Sequence, residues 1–585
     1  MQTTQYKKLL EFYQQKNFAE LENKYLNHFH NYTEDVLSLN LFAIYHITKK
    51  NYQESEKCLL LAMKIDSNNY NTFINFANLY ISKGDFNDSI PFLDLAISQN
   101  KNNPYPQSLL GTIYLKKGEL FKAKKIFINL LKLDKNSVVY LLNLARILYQ
   151  EFRYRFSIRF YLKIIKNNNK ILDAYLGLAE CYNKIENSQE ALNILDTAIK
   201  IFPLTIALYI KKNEILRSYG RFDLALKVIN NGLSIHPESG ALIFSKTRLT
   251  EYSEFSNEIN KWELLFLNMQ DSIDKAMLGF GLFKIFDDLK DFKKASYYLV
   301  IANKIKFKQK NYSIQIENQQ FAFLKNNFTR DYVCKFNLKN TKKNGPIFIV
   351  GMQRSGTTLL EQILAAHSKT KSLGETSLYP FCFQNFFEDF DLNSFKKSLE
   401  SMNNQKFAKL GNKYLFKSGY SDNTITIDKL LSNFRLIAPI IMSIPNAKII
   451  NLTRVPKDAC FSIYSNFFNV ETMPWSSDQT SIINYYQQYN LLMKHWLDLF
   501  PDKILNISYE MLIAEPAIQI KKVLQFCQLD WQENCLEFYK KKNKIETESF
   551  IQARKKIYKS SLNRYEPYKD YFDKFFLQLS TEGML

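Results

Sequence analysis

The run Gly351-Met-Gln-Arg-Ser-Gly-Thr-Thr358 lies between an apolar segment, Pro346-Ile-Phe-Ile-Val350, and a helically patterned one that continues through Leu359, Leu360, Ile363 and Leu364. Strand, glycine loop and helix in that order form the opening unit of an α/β fold. The open N–H groups of such a loop and of the helix behind it make an anion site. Gly356 lets the main chain approach a phosphate, Ser355, Thr357 and Thr358 add hydroxyl donors, and Arg354 brings a cation. A nucleoside-triphosphate loop of the form G-x-x-x-x-G-K-[ST] carries lysine where Thr357 stands here. Without that lysine, cleavage at a γ-phosphate lacks its main charge stabiliser. The loop is suited to a phosphate that is held, not one that is transferred.

Further strand-like runs follow at 424–427, 447–453 and 503–507, with helical patterns between them. That alternation predicts a parallel sheet with helices on both faces. The run 447–453 ends in Arg454, and Ser462 follows eight residues on. An arginine at a strand's C-terminal edge, with a serine two helical turns later, can clamp one phosphate.

Residues 349–361 resemble the 5′-phosphosulfate loop of sulfotransferases, in the branch that holds tyrosylprotein sulfotransferases and bacterial repeat-bearing relatives. The resemblance runs from about Pro346 onward and implies 3′-phosphoadenosine 5′-phosphosulfate (PAPS) as donor, adenosine 3′,5′-bisphosphate as product, and no metal. It makes Arg454 and Ser462 the 3′-phosphate site, with Asp458 in the family's pattern and Val455 where an acidic residue is often found. Tyr509 matches a tyrosine that lies against the nucleotide. The tail 549–558, with Ser549, Arg554, Lys555 and Lys556, and then Arg564, looks like the basic loop that closes over PAPS. Glu375 matches the catalytic glutamate, the general base toward a hydroxyl acceptor, and Lys429 the lysine at the bridging oxygen. Arg354 and Ser549 would share the developing charge. His367 is an alternative base, disfavoured by its place at the far end of the first helix.

The first half of the chain has an internal repeat. In blocks of 34 residues, Ala77, Gly111, Ala145 and Ala179 fall in step, as do Ser89, Ala123, Ser157, Ala191 and Ala225, with Gly84, Gly118 and Gly220 at turns. Each block reads as two helices whose small residues mark a close crossing. The pattern, over about six blocks, resembles a tetratricopeptide-repeat array, with weaker matches before Asp35 and after Ser239 and a further hairpin expected around 273–307. Repeats of this kind hold peptides or proteins, or else brace a neighbouring domain or mediate self-association.

The expected architecture is therefore an all-α repeat solenoid over 1–305, a connecting segment over 306–344, and an α/β sulfotransferase domain over 345–585. The acceptor is left open between a protein tyrosine and a glycan, and a homo-oligomer is left open too. The competing reading is a repeat-based adaptor whose α/β half only senses nucleotide; a small-molecule kinase would need the missing lysine and an acidic magnesium ligand. Seven scattered cysteines without a Cys-x-x-Cys pair speak against a disulfide framework and a zinc site. The net charge of +21 attracts anions, but the cations look dispersed and no nucleic-acid motif is present, so nucleic acid is not expected. No run reaches the roughly 20 apolar residues of a membrane span, and the polar N-terminus lacks a signal-peptide pattern, so a cytoplasmic protein is expected.

Overall fold

The computed structural model describes all residues except 1, 29–33, 310–311, 337–343, 385, 387–391, 422, 542, 548–549, 551, 558–561 and 582–585. The described chain forms two compact units, Met1–Ile194 and Leu195–Leu585.

In the first unit the 34-residue step sets the helix boundaries. First helices run Val36–Thr48, Tyr70–Lys83, Pro104–Lys116 and Val138–Gln150, and their partners Tyr52–Ile65, Phe86–Gln99, Leu120–Leu133 and Tyr154–Asn167. The earlier hairpin, Gln2–Gln14 with Phe18–His28, keeps the same step although its sequence match is weak. The small positions are where helices meet. Ala77, Ala145 and Ala179 are fully buried, and a Cβ on Gly111 would stand 2.9 Å from the Phe127 ring. Ser157 adds a hydroxyl that donates to the Ala145 carbonyl at 2.7 Å across the hairpin.

The second unit joins later hairpins to the α/β sheet. Ile206–Ser218 with Phe222–Ile235 and Ile273–Asp288 with Phe292–Phe307 flank a shorter pair, Gly240–Thr247 and Asn257–Asn268. The helix Ile314–Asn327, in the expected connecting segment, packs Phe321 against Phe434 and Tyr485 of the α/β part.

The sheet has five parallel strands: β1 (Ile347–Gly351), β2 (Thr370–Ser372), β3 (Ile425–Asp428), β4 (Lys448–Thr453) and β5 (Ile504–Ser508), in the order β2-β3-β1-β4-β5. The central strand is the most apolar, Ile-Phe-Ile-Val-Gly, and is buried throughout, as a parallel strand covered on both faces must be. On one face Ile347, Ile349, Ile427, Ile450 and Ile507 meet Leu360, Ile363 and Leu364 of the helix Thr357–Ala365 and Ile520, Val523 and Leu524 of Pro516–Phe526. On the other, Phe348 packs on Tyr379 and Tyr414, and Tyr489 donates to Asn451 Oδ1 at 2.6 Å. The parallel sheet and its covering helices agree with the sequence reading. The strand β2 is an addition to it.

Candidate active site

In parallel sheets ligands collect beyond the C-terminal strand ends, where the strand order reverses. That rule accounts for the site here, because each strand delivers a residue at that edge. After β1 come Arg354 and Gly356, after β2 Glu375, after β3 Lys429, after β4 Arg454, and after β5 Tyr509. Since β4 lies beside β1, with Gly351 in register with Leu452, the two arginine loops meet. Arg454 Nη1 donates to the Arg354 carbonyl at 2.9 Å, and Arg354 Nε donates to Ser462 Oγ at 3.0 Å. Arg354 has φ of +68°, a left-handed conformation that costs energy for a side-chain-bearing residue and turns the loop back toward β4.

Gly356, at φ +94°, caps the helix Thr357–Ala365. A Cβ there would lie 2.2 Å from Tyr509 Cδ2, so the glycine is needed for the close approach of the ring as well as for the turn. The Arg454 guanidinium stands 4.9 Å from the Tyr509 ring centre. Arg354, Gly356, Thr358, Arg454, Ser462 and Tyr509 line one pocket, together with Lys555, Lys556, Ile557 and Arg564 from the tail, and with Leu359, Ile513 and Ala553. Five cations converge on it, and the apolar wall from Leu359, Ile513 and Ile557 was not anticipated. Those three residues carry no chemical signature in the sequence, and only the folded pocket brings them together. Ser355 and Thr357 are buried beneath the loop; the Ser355 hydroxyl donates to the Met352 carbonyl at 2.7 Å and so holds the loop's shape.

A second group sits past β2 and β3. Lys429 is fully buried and lies 2.6 Å from Glu375 Oε1 and 3.5 Å from Glu361 Oε2. Burial disfavours its charge, but Glu361 and Glu375 together outweigh that and hold its pKa above the ordinary lysine value. Ser372 ties Glu361 in place, and the Lys429 N–H donates to the Gly374 carbonyl at 3.1 Å, which fixes the Glu375 loop to β3. Glu375 itself is about half exposed. Asp428, buried beside Lys429, is pushed up to about 7 by burial, against hydrogen bonds from Leu430 N–H, Tyr414 and Asn433. Glu361 is a site residue the sequence reading did not single out; its place on the apolar helix pattern was the available signal.

The remaining expected residues divide. Arg554 turns from the pocket: Nη1 donates to the Asn543 carbonyl at 2.9 Å and Nη2 to the Ser218 carbonyl at 2.6 Å. Arg564 stays at the pocket while its Nη2 pairs with Asp287 at 3.0 Å. Ser549 lies outside the described residues. His367 is fully buried and engages the Asp530 carbonyl through Nε2 at 3.0 Å.

Comparison with known proteins agrees with this layout. Residues 346–533 match the sulfotransferase family, and residues 70–103 match the tetratricopeptide repeat. An uncharacterized protein of Aquifex aeolicus (strain VF5) is 28% identical over 423 residues, covering 70% of this chain and 55% of that protein. The protein-tyrosine sulfotransferase of Drosophila melanogaster is 25% identical over 210 residues, covering 34% of this chain and 42% of that protein. The chain thus spans about half the length of the curated relatives it matches. Among solved structures, YrrB, a tetratricopeptide-repeat protein with an unusual peptide-binding site, aligns at 20% identity and a TM-score of 0.27 over 31% of this chain and 92% of that one.

Proposed function

We propose that this chain, whose residues 346–533 carry a sulfotransferase-family domain, transfers a sulfuryl group from PAPS to a hydroxyl acceptor. The observation that carries the reading is the meeting of Arg354, Arg454 and Ser462 over a glycine loop without the triphosphate lysine. These residues and Tyr509 fit a bound nucleotide: cations for its phosphates, a ring for its base or sugar face, and a helix N-terminus for the phosphate oxygens.

The donor supplies the sulfuryl group and an anionic leaving group; the protein's task is to place charge where that anion forms. Arg354 and Lys429 are the cations for it. Glu375 accepts the proton of the incoming hydroxyl. In the resting pair Lys429 neutralises Glu375, and proton uptake by Glu375 would remove one of the lysine's two partners. Glu361 remains on Lys429 and keeps the buried cation compensated, so the pair can exchange a proton without stranding a charge. The acceptor we propose is a protein or peptide hydroxyl, tyrosine above all, presented by the repeats.

The test is transfer of labelled sulfate from PAPS to protein, peptide, glycan and lipid acceptors. Glu375→Gln is expected to lower transfer by about 100-fold or more while adenosine 3′,5′-bisphosphate still raises Tm. Unchanged transfer would remove Glu375 as base. A thermal shift with ATP and magnesium in place of the bisphosphate would point to a kinase instead.

A further inference from the structure

The cations that look dispersed along the chain are gathered by the repeat. Between residues 104 and 170 there are fourteen Lys and Arg against three Asp and Glu, a net +11 out of the chain's +21. The preceding residues 1–103 hold ten basic against eleven acidic residues, and 171–205 hold two against five. Two consecutive hairpins therefore carry a positive surface bounded by neutral or acidic ones.

The second helices of those hairpins show how it is built. On Leu120–Leu133 the residues Phe121, Lys125, Ile128 and Lys132 are spaced to share one face, and all four are exposed. One repeat later, on Tyr154–Asn167, the same positions are Arg155, Arg159, Leu162 and Lys166, again all exposed. The neighbouring blocks break the stripe: Asp94 and Asp196 stand where Ile128 and Leu162 do. The two faces adjoin, since Lys163 Nζ donates to the Lys135 carbonyl at 2.6 Å. Glu119 and Glu151, two of the three acids, are already engaged by Lys117, Lys122 and Lys124.

Charge alone would suit any polyanion. What narrows the choice is the apolar component at the same place. Phe121 is 78% exposed, and Ile128, Phe156 and Leu162 are each more than 40% exposed among the cations. A helix face that joins Lys and Arg to exposed aromatic and aliphatic side chains is the chemistry of an anionic lipid surface, where the apolar groups enter the headgroup boundary and the cations meet phosphate. A nucleic acid or sulfated glycan would have no use for Ile128 and Leu162. Among the described residues no helix is long and apolar enough to cross a membrane. We propose that the outer faces of Leu120–Leu133 and Tyr154–Asn167 dock on an anionic lipid bilayer. This stands apart from the sulfuryl-transfer reading.

The test is sedimentation of the full chain with vesicles of phosphatidylcholine, with and without phosphatidylglycerol. Binding is expected only to the anionic vesicles, weakening as salt rises. Lys125→Glu with Arg159→Glu should lower the partition coefficient by about 25-fold or more. Phe121→Ser with Leu162→Ser, which leaves the charge unchanged, should lower it by about fivefold or more. Both pairs are exposed, so an unchanged Tm establishes that the fold is kept. Absent binding, equal binding to neutral vesicles, or a charge reversal without effect would overturn the proposal. So would retention of polyuridylate with no loss in the serine variant, which would mark a purely electrostatic polyanion surface.

Discussion

Two stretches of the same repeat are used in opposite ways. In residues 104–167 the outer helix faces are exposed and basic. In residues 206–307 the tail of the α/β domain packs on the hairpins at Ser218, Phe222, Leu249, Phe283 and Phe292, and their charge is nearly balanced, with fifteen basic and twelve acidic residues. The inner positions do not differ: Ala123 and Ser157 in the first stretch and Ala225 in the second are all fully buried. The repeat pattern secures the hairpin and leaves turns and outer faces free, so function is written in the positions the pattern ignores.

The later stretch is part of the frame of the pocket that holds Arg354 and Arg454. Ile545 N–H and Arg554 Nη2 both donate to the Ser218 carbonyl, and Phe550 is buried with Ile545 and Ala553 against Phe222 and Leu249. The guanidinium of Arg217 lies 4.2 Å, and that of Arg248 5.2 Å, from the Phe550 ring centre. Phe550→Ala is therefore expected to have the largest effect, a loss of roughly 3 kcal/mol in denaturant unfolding, with loss of bisphosphate binding because Lys555 and Lys556 are no longer held. A variant that unfolds like the parent and binds normally would separate these hairpins from the pocket.

Lys306 is the second point of attachment. It is fully buried, its Nζ donates to Ser476 Oγ at 3.1 Å, and the rings of Phe280 and Phe467 lie over it. Burial lowers its pKa to about 7. The unfolded chain, with an ordinary lysine, binds the proton more readily, so between pH 7 and about 10.5 stability rises with pH. Below pH 7 both states are protonated and the destabilisation is at its full value. Lys306→Met should raise stability near neutral pH by about 1–4 kcal/mol and flatten that rise. Urea unfolding across pH 6–10 checks both, and an unchanged slope would place the titration elsewhere.

These attachments mark the limit of what the sequence discloses. The glycine loop, Arg454 and Ser462 were readable because strand, loop and helix are contiguous, so their spacing alone implies a phosphate clamp. Glu375 and Lys429 were readable only through family resemblance, since they belong to different loops and meet because β2 pairs with β3. That strand was missed because Thr370-Lys371-Ser372 is three residues long, on the sheet edge, with an exposed lysine at its centre. Arg554 could not be told from its neighbours Lys555 and Lys556: which cation faces the pocket depends on a carbonyl at Ser218, 336 residues away. The repeat was legible as a period, but its division of labour was not, because nothing periodic distinguishes a covered hairpin from an open one.

A smaller effect tests the frame more finely. Asp287, from the hairpin helix Ile273–Asp288, accepts from Arg564 Nη2 at 3.0 Å and from the Tyr568 hydroxyl at 2.6 Å. It holds a pocket cation without lining the pocket itself. Asp287→Ala is expected to weaken adenosine 3′,5′-bisphosphate binding by about tenfold, roughly 1.4 kcal/mol, and to raise KM for PAPS with kcat little changed. A fall in kcat at constant KM would show that Asp287 acts on chemistry instead of on the position of Arg564.

The smallest effect is expected from the same kind of pair in the open stretch. Arg146 Nη2 lies 2.6 Å from Asp173, and both side chains are about half exposed. Its geometry is as good as that of Arg564 and Asp287, but water competes for both partners. Arg146→Ala should cost well under about 1 kcal/mol and leave bisphosphate affinity unaltered. The contrast with Asp287→Ala is the decisive measurement, because one change removes an ion pair between a hairpin helix and the tail and the other an ion pair between two repeat helices. Equal losses of affinity would mean that the repeats act on the pocket through overall stability; a loss confined to Asp287 would mean that they act through the one arginine it holds.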